Sequence, residues 1–310
     1  MDYLYLILGF TILLISGDLL VRSGVALASH MRISTLVVGV TVVSLGTSAP
    51  ELVVSIGAAL KNHPDIAIGN VIGSNISNIG LVLGLTGIMI NIPVSKNSVR
   101  FDWPFMMFAS LLFTLFVING RLSPAEGVMF LGLLALFIGW SLRKSRTELA
   151  KVEHVFAKAR FPVSVALILL AVSSAGLYFG ASWLVDGAES IARRFGVSER
   201  VISVTIIAFG TSIPELATSV VAALKKQLDI SIGNILGSNI FNILGILGVT
   251  SIIKTLEVNI EMIFDVYWML ALSAVLLLFM LPYGRAEINR IKGFFLIIAY
   301  IVYIYIVFKT

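Results

Sequence analysis

The feature that most limits what this chain can fold into is a series of long apolar segments separated by short polar ones. A helix needs about 20 apolar residues to cross the ~30 Å hydrocarbon core of a bilayer. Ten segments qualify, at roughly 3–27, 34–60, 66–90, 102–119, 124–142, 162–190, 199–224, 230–253, 262–281 and 288–308. They are too long and too uniformly apolar for barrel strands, so the sequence predicts an all-α integral membrane protein with ten transmembrane helices.

Composition supports a membrane environment and excludes several kinds of site. Of the 310 residues, 58% are hydrophobic and 13% are charged, whereas a soluble domain has about a quarter of its residues charged. The chain has no cysteine, which excludes disulfides and thiolate sites. Its basic residues lie between the apolar segments and form no stripe. We therefore expect a lipid bilayer around the protein, no nucleic-acid partner and no protein partner.

Two motifs occur twice in the chain at one fixed spacing. VTVVSLGTSAPELVVS (40–55) matches VTIIAFGTSIPELATS (204–219), and every matched position lies 164 residues apart. The same offset aligns DIAIGNVIGSNISNIG (65–80) with DISIGNILGSNIFNIL (229–244). Two aligned blocks at a single offset indicate an internal duplication.

The duplication predicts how the two halves are arranged in the membrane. Each half, 1–142 and 162–310, holds five predicted spans, and the basic segment 143–161 connects them. Five is odd, so the second half must be inverted, an arrangement typical of secondary transporters with a midplane site. Lys and Arg are roughly twice as numerous on the connector side. We expect the connector in the cytoplasm and both termini outside, in the plasma membrane.

One carboxylate occupies the same place in both repeats. Glu51 lies in SLGTSAPE and Glu215 lies in AFGTSIPE, and neither motif contains Lys or Arg. A charged side chain at this depth costs roughly 3 kcal/mol or more. An unpaired buried carboxylate takes up a proton or binds a cation, so these residues are the predicted centre of a cation site.

Neighbouring residues add further oxygen atoms. A Thr–Ser pair precedes each glutamate within about one helical turn, and this pair is Thr47 and Ser48 in the first repeat and Thr211 and Ser212 in the second. Each motif also contains a proline, which cannot donate to the carbonyl four residues earlier and should kink or unwind the helix. Carbonyls freed in this way can face a cavity.

The second block is rich in glycine and asparagine. Its GxxxG spacings permit close helix approach. Ser74 and Asn78 share one helix face, as do Ser238 and Asn242. The remaining asparagines serve either packing or ligation, and they are Asn70, Asn75, Asn234 and Asn239. All these donors are hard oxygens, which suit Ca²⁺ or Na⁺ and argue against zinc, copper or nickel. No cofactor is predicted.

The motifs resemble the α-repeats of the Ca²⁺/cation antiporter superfamily, particularly the prokaryotic sodium/calcium exchangers. GTSAPE (46–51), GTSIPE (210–215), GNVIGSNISN (69–78) and GNILGSNIFN (233–242) carry the resemblance. It implies a site among the second, third, seventh and eighth helices. The implied side-chain ligands are Thr47, Ser48, Glu51, Ser74, Thr211, Ser212, Glu215 and Ser238. The carbonyls of Ser44 and Ala208 join them, and Asn78 and Asn242 line the site. Some members carry Asp where this chain has Asn242, and the asparagine argues against potassium co-transport.

The predicted function is secondary antiport of Ca²⁺ against Na⁺, and the alternative is Ca²⁺/H⁺ antiport through the same glutamates. Exchange would proceed by movement of whole helices. The first and sixth spans carry polar, glycine-containing breaks at Gly17-Asp18 and Asp186-Gly187, which serve either bending or ordinary interfacial packing. An enzyme is not predicted. The sequence has no GxxxxGK[ST] or GxSxG motif, and its three histidines lie in predicted loops. A passive channel is disfavoured because a paired carboxylate site holds ions too tightly for fast conduction.

Overall fold

The computed structural model describes residues 2–150, 161–196, 210–259, 262–281 and 286–309, except for the side chain of Phe308. The helices are α1 Asp2–Met31, α2 Thr35–Thr47, α3 Ala49–Leu60, α4 Pro64–Met89, α5 Ser98–Val117, α6 Pro124–Ala150, α7 Val163–Arg194, α8 Ile213–Leu224, α9 Leu228–Ile253, α10 Ile263–Met280 and α11 Arg290–Lys309. Within these ranges eight helices are long and apolar enough to cross a membrane, and the bent pair of α2 and α3 makes a ninth. The prediction of an all-helical, multi-pass membrane protein is confirmed.

The helices follow the predicted segments with two differences. The fifth segment was predicted to end at 142, but α6 continues to Ala150, because RKSRTELA consists largely of strong helix formers. The first part of the predicted connector is therefore helical. In the seventh segment, 199–209 lie outside the described residues, and α8 begins at Ile213.

Both glutamate motifs interrupt a helix. Between α2 and α3 the chain bends by 46° at Ser48, which has φ −87° and ψ 8°. Before α8, Ser212 has nearly the same dihedrals, φ −89° and ψ 0°. A proline follows each serine by two residues, lacks the N–H needed to continue the preceding helix, and fits the first turn of a new one. Glu51 and Glu215 consequently lie in the first turns of α3 and α8.

The two most buried spans are α4 and α9, which carry the second motif. Each contains a π-helical segment, Asn78–Leu83 in α4 and Phe241–Leu247 in α9. Such segments inside α-helices are frequent at functional sites. The N-terminal part of α9 lies directly against α2, since a Cβ added to Gly237 would come within 2.3 Å of the Val40 carbonyl oxygen. Glycine is thus required at this contact.

The long helices α1 and α7 pack antiparallel along one another and are both continuous. Helical structure is thus unbroken at Gly17-Asp18 and at Asp186-Gly187. Asp18 forms ion pairs with Arg22, at 2.7 Å, and with Lys225 at the end of α8. Glycines serve helix packing here, because a Cβ on Gly9 would lie 2.7 Å from the Gly180 carbonyl oxygen.

Two short antiparallel strand pairs connect loops from the two halves of the chain. β1 (Ile92–Pro93) pairs with β4 (Glu287–Ile288), and β2 (Arg121–Leu122) pairs with β3 (Leu256–Glu257). Each pair takes one strand from the residues before 143 and one from the residues after 161. The two halves are thereby linked reciprocally outside the helices.

Candidate cation site

The structure brings the two predicted carboxyl groups together. Glu51 and Glu215 are both 0% exposed. Ser48 connects the two motifs, since its hydroxyl donates to Glu215 Oε1 at 2.9 Å. The break before α3 and the break before α8 therefore meet, and both glutamates lie at this junction.

Thr47 links the same junction to α9. Its hydroxyl lies 3.1 Å from Asn234 Oδ1 and 3.4 Å from Ser238 Oγ. It also lies 3.2 Å from the carbonyl oxygen of Ser44. Thr47 thus places Ser238 beside the first motif, although the two residues come from opposite halves of the sequence.

Of the two predicted carbonyl ligands, the Ser44 carbonyl lies within the described residues and is hydrogen-bonded there. The Ser44 carbonyl accepts the Ser48 N–H at 2.9 Å and the Thr47 hydroxyl at 3.2 Å. A carbonyl has two lone pairs, so this oxygen would ligate a cation only after giving up one of these bonds. Ala208 lies outside the described residues. Thr211 is described and is partly exposed, in contrast to buried Thr47.

Seven side-chain oxygens at the predicted ligands are buried without a hydrogen-bond partner. They are both carboxylate oxygens of Glu51, Oε2 of Glu215, the hydroxyls of Ser74 and Ser212, and Oδ1 of Asn78 and of Asn242. Leaving such an atom unsatisfied costs about 1–3 kcal/mol, and more when it is charged. This set of oxygens is chemically suited to a hard cation with six to eight oxygen ligands.

The helix packing crosses between the two repeats beside each glutamate. Helix α3, which begins with the Glu51 motif, contacts the π-helical segment that contains Asn242. Helix α8, with Glu215, contacts the segment that begins at Asn78. Each helix that carries a glutamate thus packs against the π-helical segment of the other repeat.

No basic side chain neutralises the two glutamates in the described part of the chain. The ion pairs formed there involve Asp2, Asp18, Glu148 and Glu189, and none involves either glutamate. The same ranges contain no group of three or more His, Cys, Asp or Glu side chains arranged for a metal. Two carboxylates with hydroxyl and amide oxygens are therefore the chemistry at this site.

Two methionines also touch this region, and sequence reasoning missed them. Met106 Sδ lies 3.6 Å from Nδ2 of Asn239, and Met269 Sδ lies 3.6 Å from Nδ2 of Asn75. A signal was present, because FDWPFM (101–106) and FDVYWM (264–269) continue the internal repeat at an offset of 163 residues. The predicted duplication thus extends to the helices that surround the site.

Comparison with known proteins decides the family. The family model described as sodium/calcium exchanger protein matches residues 1–143 and 165–309. The chain belongs to the sodium/calcium exchanger protein family. It is therefore a secondary transporter and not an enzyme, as the sequence predicted, and this family uses no cofactor.

Relatives and solved structures match over almost the whole chain. CaxA of Alkalimonas amylolytica is 37% identical over 99% of this chain and 98% of its own length. The sodium/calcium exchanger MaX1 of Methanosarcina acetivorans is 29% identical over the same shares. Structures of the sodium-calcium exchanger NCX_Mj superpose with a TM-score of 0.84 at 33% identity, covering 99% of this chain and 98% of that one. Exchanger relatives thus resemble this protein from end to end.

Proposed function

We propose that this protein exchanges Ca²⁺ for Na⁺ across the plasma membrane by alternating access. The observation that carries the proposal is the set of seven unpaired, buried oxygens around Glu51 and Glu215. Two charges of −1 match one Ca²⁺, and the remaining oxygens replace its water ligands. MaX1 is a sodium/calcium exchanger and NCX_Mj a sodium-calcium exchanger, which supports the same pair of ions here.

The proposed site draws on both repeats. Its side chains are Glu51, Glu215, Thr47, Ser48, Thr211, Ser212, Ser74, Ser238, Asn78 and Asn242, with the carbonyls of Ser44 and Ala208. Ca²⁺ and Na⁺ would use overlapping subsets of these oxygens, because both are hard cations and differ mainly in charge. One site shared by two ions in turn is the simplest basis for exchange.

The proposed architecture is ten spans in two inverted repeats, 1–142 and 162–310, around the cytoplasmic connector 143–161. Several observations support it. The helix breaks at Ser48 and Ser212 have matching dihedrals. The strand pairs cross reciprocally between the halves. A pseudo-two-fold axis in the membrane plane relates such repeats, and its transport site lies where they meet. Both termini would lie outside the cell.

The charge of the site explains why transport would be coupled. Without a bound cation the site carries two negative charges in a low-dielectric environment, and moving it past apolar side chains is costly. Ca²⁺ or several Na⁺ ions would neutralise these charges and lower the barrier to reorientation. The continuous pair of α1 and α7 is the proposed mobile unit, in accordance with the expectation that whole helices move.

One alternative has an observation in its favour. Neither carboxylate oxygen of Glu51 has a hydrogen-bond partner, so this group can accept a proton as readily as a cation. Ca²⁺/H⁺ antiport would then use the same glutamates. Positions 78 and 242 both hold asparagine, which cannot carry a proton as an aspartate could. This favours Na⁺ as the coupling ion.

Ion flux in liposomes separates the two possibilities. Purified protein would be reconstituted, and radioactive Ca²⁺ uptake followed while outward gradients of Na⁺, K⁺ and H⁺ are imposed one at a time. We expect uptake to follow the Na⁺ gradient and to ignore K⁺. Uptake driven by the pH gradient alone would contradict Na⁺ coupling and support the H⁺ alternative.

A further inference from the structure

Four asparagines form a buried network across the two repeats, next to the proposed ligands. Asn75 and Asn78 belong to α4, Asn239 and Asn242 belong to α9, and all four are at most 1% exposed. Each pair lies at the start of, or just before, a π-helical segment. The hydrogen bonds of this network run between the repeats and never within one.

The orientation of the Asn75 amide is set by groups that can only accept. Its Nδ2 donates to the backbone carbonyl of Asn239 at 3.3 Å and to Met269 Sδ at 3.6 Å. Neither a carbonyl nor a thioether can donate, so Oδ1 of Asn75 must point the other way. There it accepts Nδ2 of Asn242 at 3.0 Å. The bond leaves Oδ1 of Asn242 free.

The second half of the network repeats this logic. Nδ2 of Asn239 faces Met106 Sδ at 3.6 Å, again an acceptor only. Oδ1 of Asn239 therefore accepts Nδ2 of Asn78, at 3.3 Å. Oδ1 of Asn78 is left free, as in the other repeat. Both chains of bonds end with an asparagine that presents an oxygen, one helical turn after a serine of the proposed site.

We propose that Asn75 and Asn239 are positioning residues for ion selection. Asn75 holds the side-chain amide of Asn242, and Asn239 holds that of Asn78. In both cases the carbonyl oxygen of the held amide, and not its NH₂ group, faces the cation. The inference rests on the proposed function, since it assumes that the cation binds beside Asn78 and Asn242. A flipped amide would present a partial positive charge to the ion and would remove a ligand.

The test uses substitutions that separate positioning from folding. Asn75→Leu removes the acceptor for Asn242 while keeping a similar volume. We expect it to weaken Ca²⁺ binding about tenfold, measured by calorimetry on the full-length protein in detergent. In an Asn242→Asp background the same change should cost less than about threefold, because a carboxylate presents an oxygen in either orientation. A merely structural role would cost equally in both backgrounds, and that result would overturn the proposal.

A matched methionine pair provides a second test if Asn75→Leu does not fold. Met→Leu conserves volume and removes only the sulfur. Among the described residues, Met106 Sδ is the one acceptor for the Asn239 NH₂ group, whereas Asn75 also donates to a backbone carbonyl. We expect Met106→Leu to weaken Ca²⁺ binding about threefold and Met269→Leu to weaken it less. Equal effects, or a larger effect of Met269→Leu, would overturn the assignment.

The controls distinguish failure of this inference from failure of the proposed function. Thr86→Val removes a buried hydroxyl from the same helix, one that bonds only to its own turn at Val82, and it should leave Ca²⁺ binding unchanged. If the unaltered protein binds no Ca²⁺, the proposed function fails. If it binds Ca²⁺ and Asn75→Leu binds equally well, only the positioning role fails.

Discussion

Replacing Glu51 with Gln removes one charge from the proposed site and replaces one of its two carboxylate oxygens with an NH₂ group. Gln has the same shape and retains a carbonyl oxygen, and the position is fully buried. Neither Glu51 oxygen has a hydrogen-bond partner, so the substitution breaks no bond within the protein. Any loss of ion binding therefore reports the missing charge together with the missing oxygen, and the charge weighs more heavily on a divalent ion.

The expected magnitude depends on the charge of the ion. At about 4 Å and an effective dielectric constant of about 20, a unit charge pair is worth about 4 kcal/mol, and a divalent ion doubles this to about 8 kcal/mol. Relative to Na⁺, Ca²⁺ thus loses about 4 kcal/mol more. This difference corresponds to a fall in Ca²⁺ preference of about a thousandfold.

The assay pairs equilibrium binding with transport. Calorimetry on the purified variant should give no measurable Ca²⁺ binding at concentrations that saturate the unaltered protein, while Na⁺ binding is weakened less. Uptake of radioactive Ca²⁺ by liposomes should be abolished, with a thermal melt similar to that of the Thr86→Val control. Ca²⁺ uptake near the unaltered level, in this variant or in Glu215→Gln, would refute the site.

Three further predictions follow from the same geometry. Saturating Na⁺ should displace Ca²⁺ from the purified protein, because both ions are proposed to use the same oxygens, and Ca²⁺ binding that is indifferent to Na⁺ would exclude a shared site. Acid should weaken the binding of both ions, since a proton on either glutamate removes its negative charge. Ca²⁺ and Na⁺ binding curves that are the same at neutral and acidic pH would contradict this. Gly237→Ala should lower stability by about 1–3 kcal/mol, because its Cβ would lie 2.3 Å from the Val40 carbonyl oxygen. A melting temperature for Gly237→Ala equal to that of the unaltered protein would refute the packing.

The sequence predicted the parts of this protein that depend on local rules. Long apolar segments require helices in lipid, so the all-helical fold followed from composition and length. The prolines of the two glutamate motifs predicted the interruptions that the structure has at Ser48 and Ser212. The duplication predicted which residues are equivalent, and the structure buries Glu51 and Glu215 alike and links their motifs through Ser48.

Features that depend on packing between helices could not be predicted from the sequence. Glycine beside aspartate at 17–18 fits either a bend or packing, and the structure has an unbroken α1 in which Asp18 pairs with Arg22 and Lys225. The π-helical segments in α4 and α9 were not predicted from the sequence. The direction in which the Asn78 and Asn242 amides point is likewise set by partners from the opposite repeat.

The measurement that tests the central claim most directly is Ca²⁺ efflux without an exchangeable ion. Liposomes containing the protein would be loaded with Ca²⁺ and diluted into medium free of Na⁺ and Ca²⁺, with the membrane potential clamped and no pH gradient. Two unneutralised carboxylates should prevent the unloaded site from returning, so Ca²⁺ should be retained until Na⁺ is added outside and should then leave rapidly. Rapid efflux before Na⁺ is added would mean that the unloaded carrier reorients freely, and it would contradict exchange governed by the charges of Glu51 and Glu215.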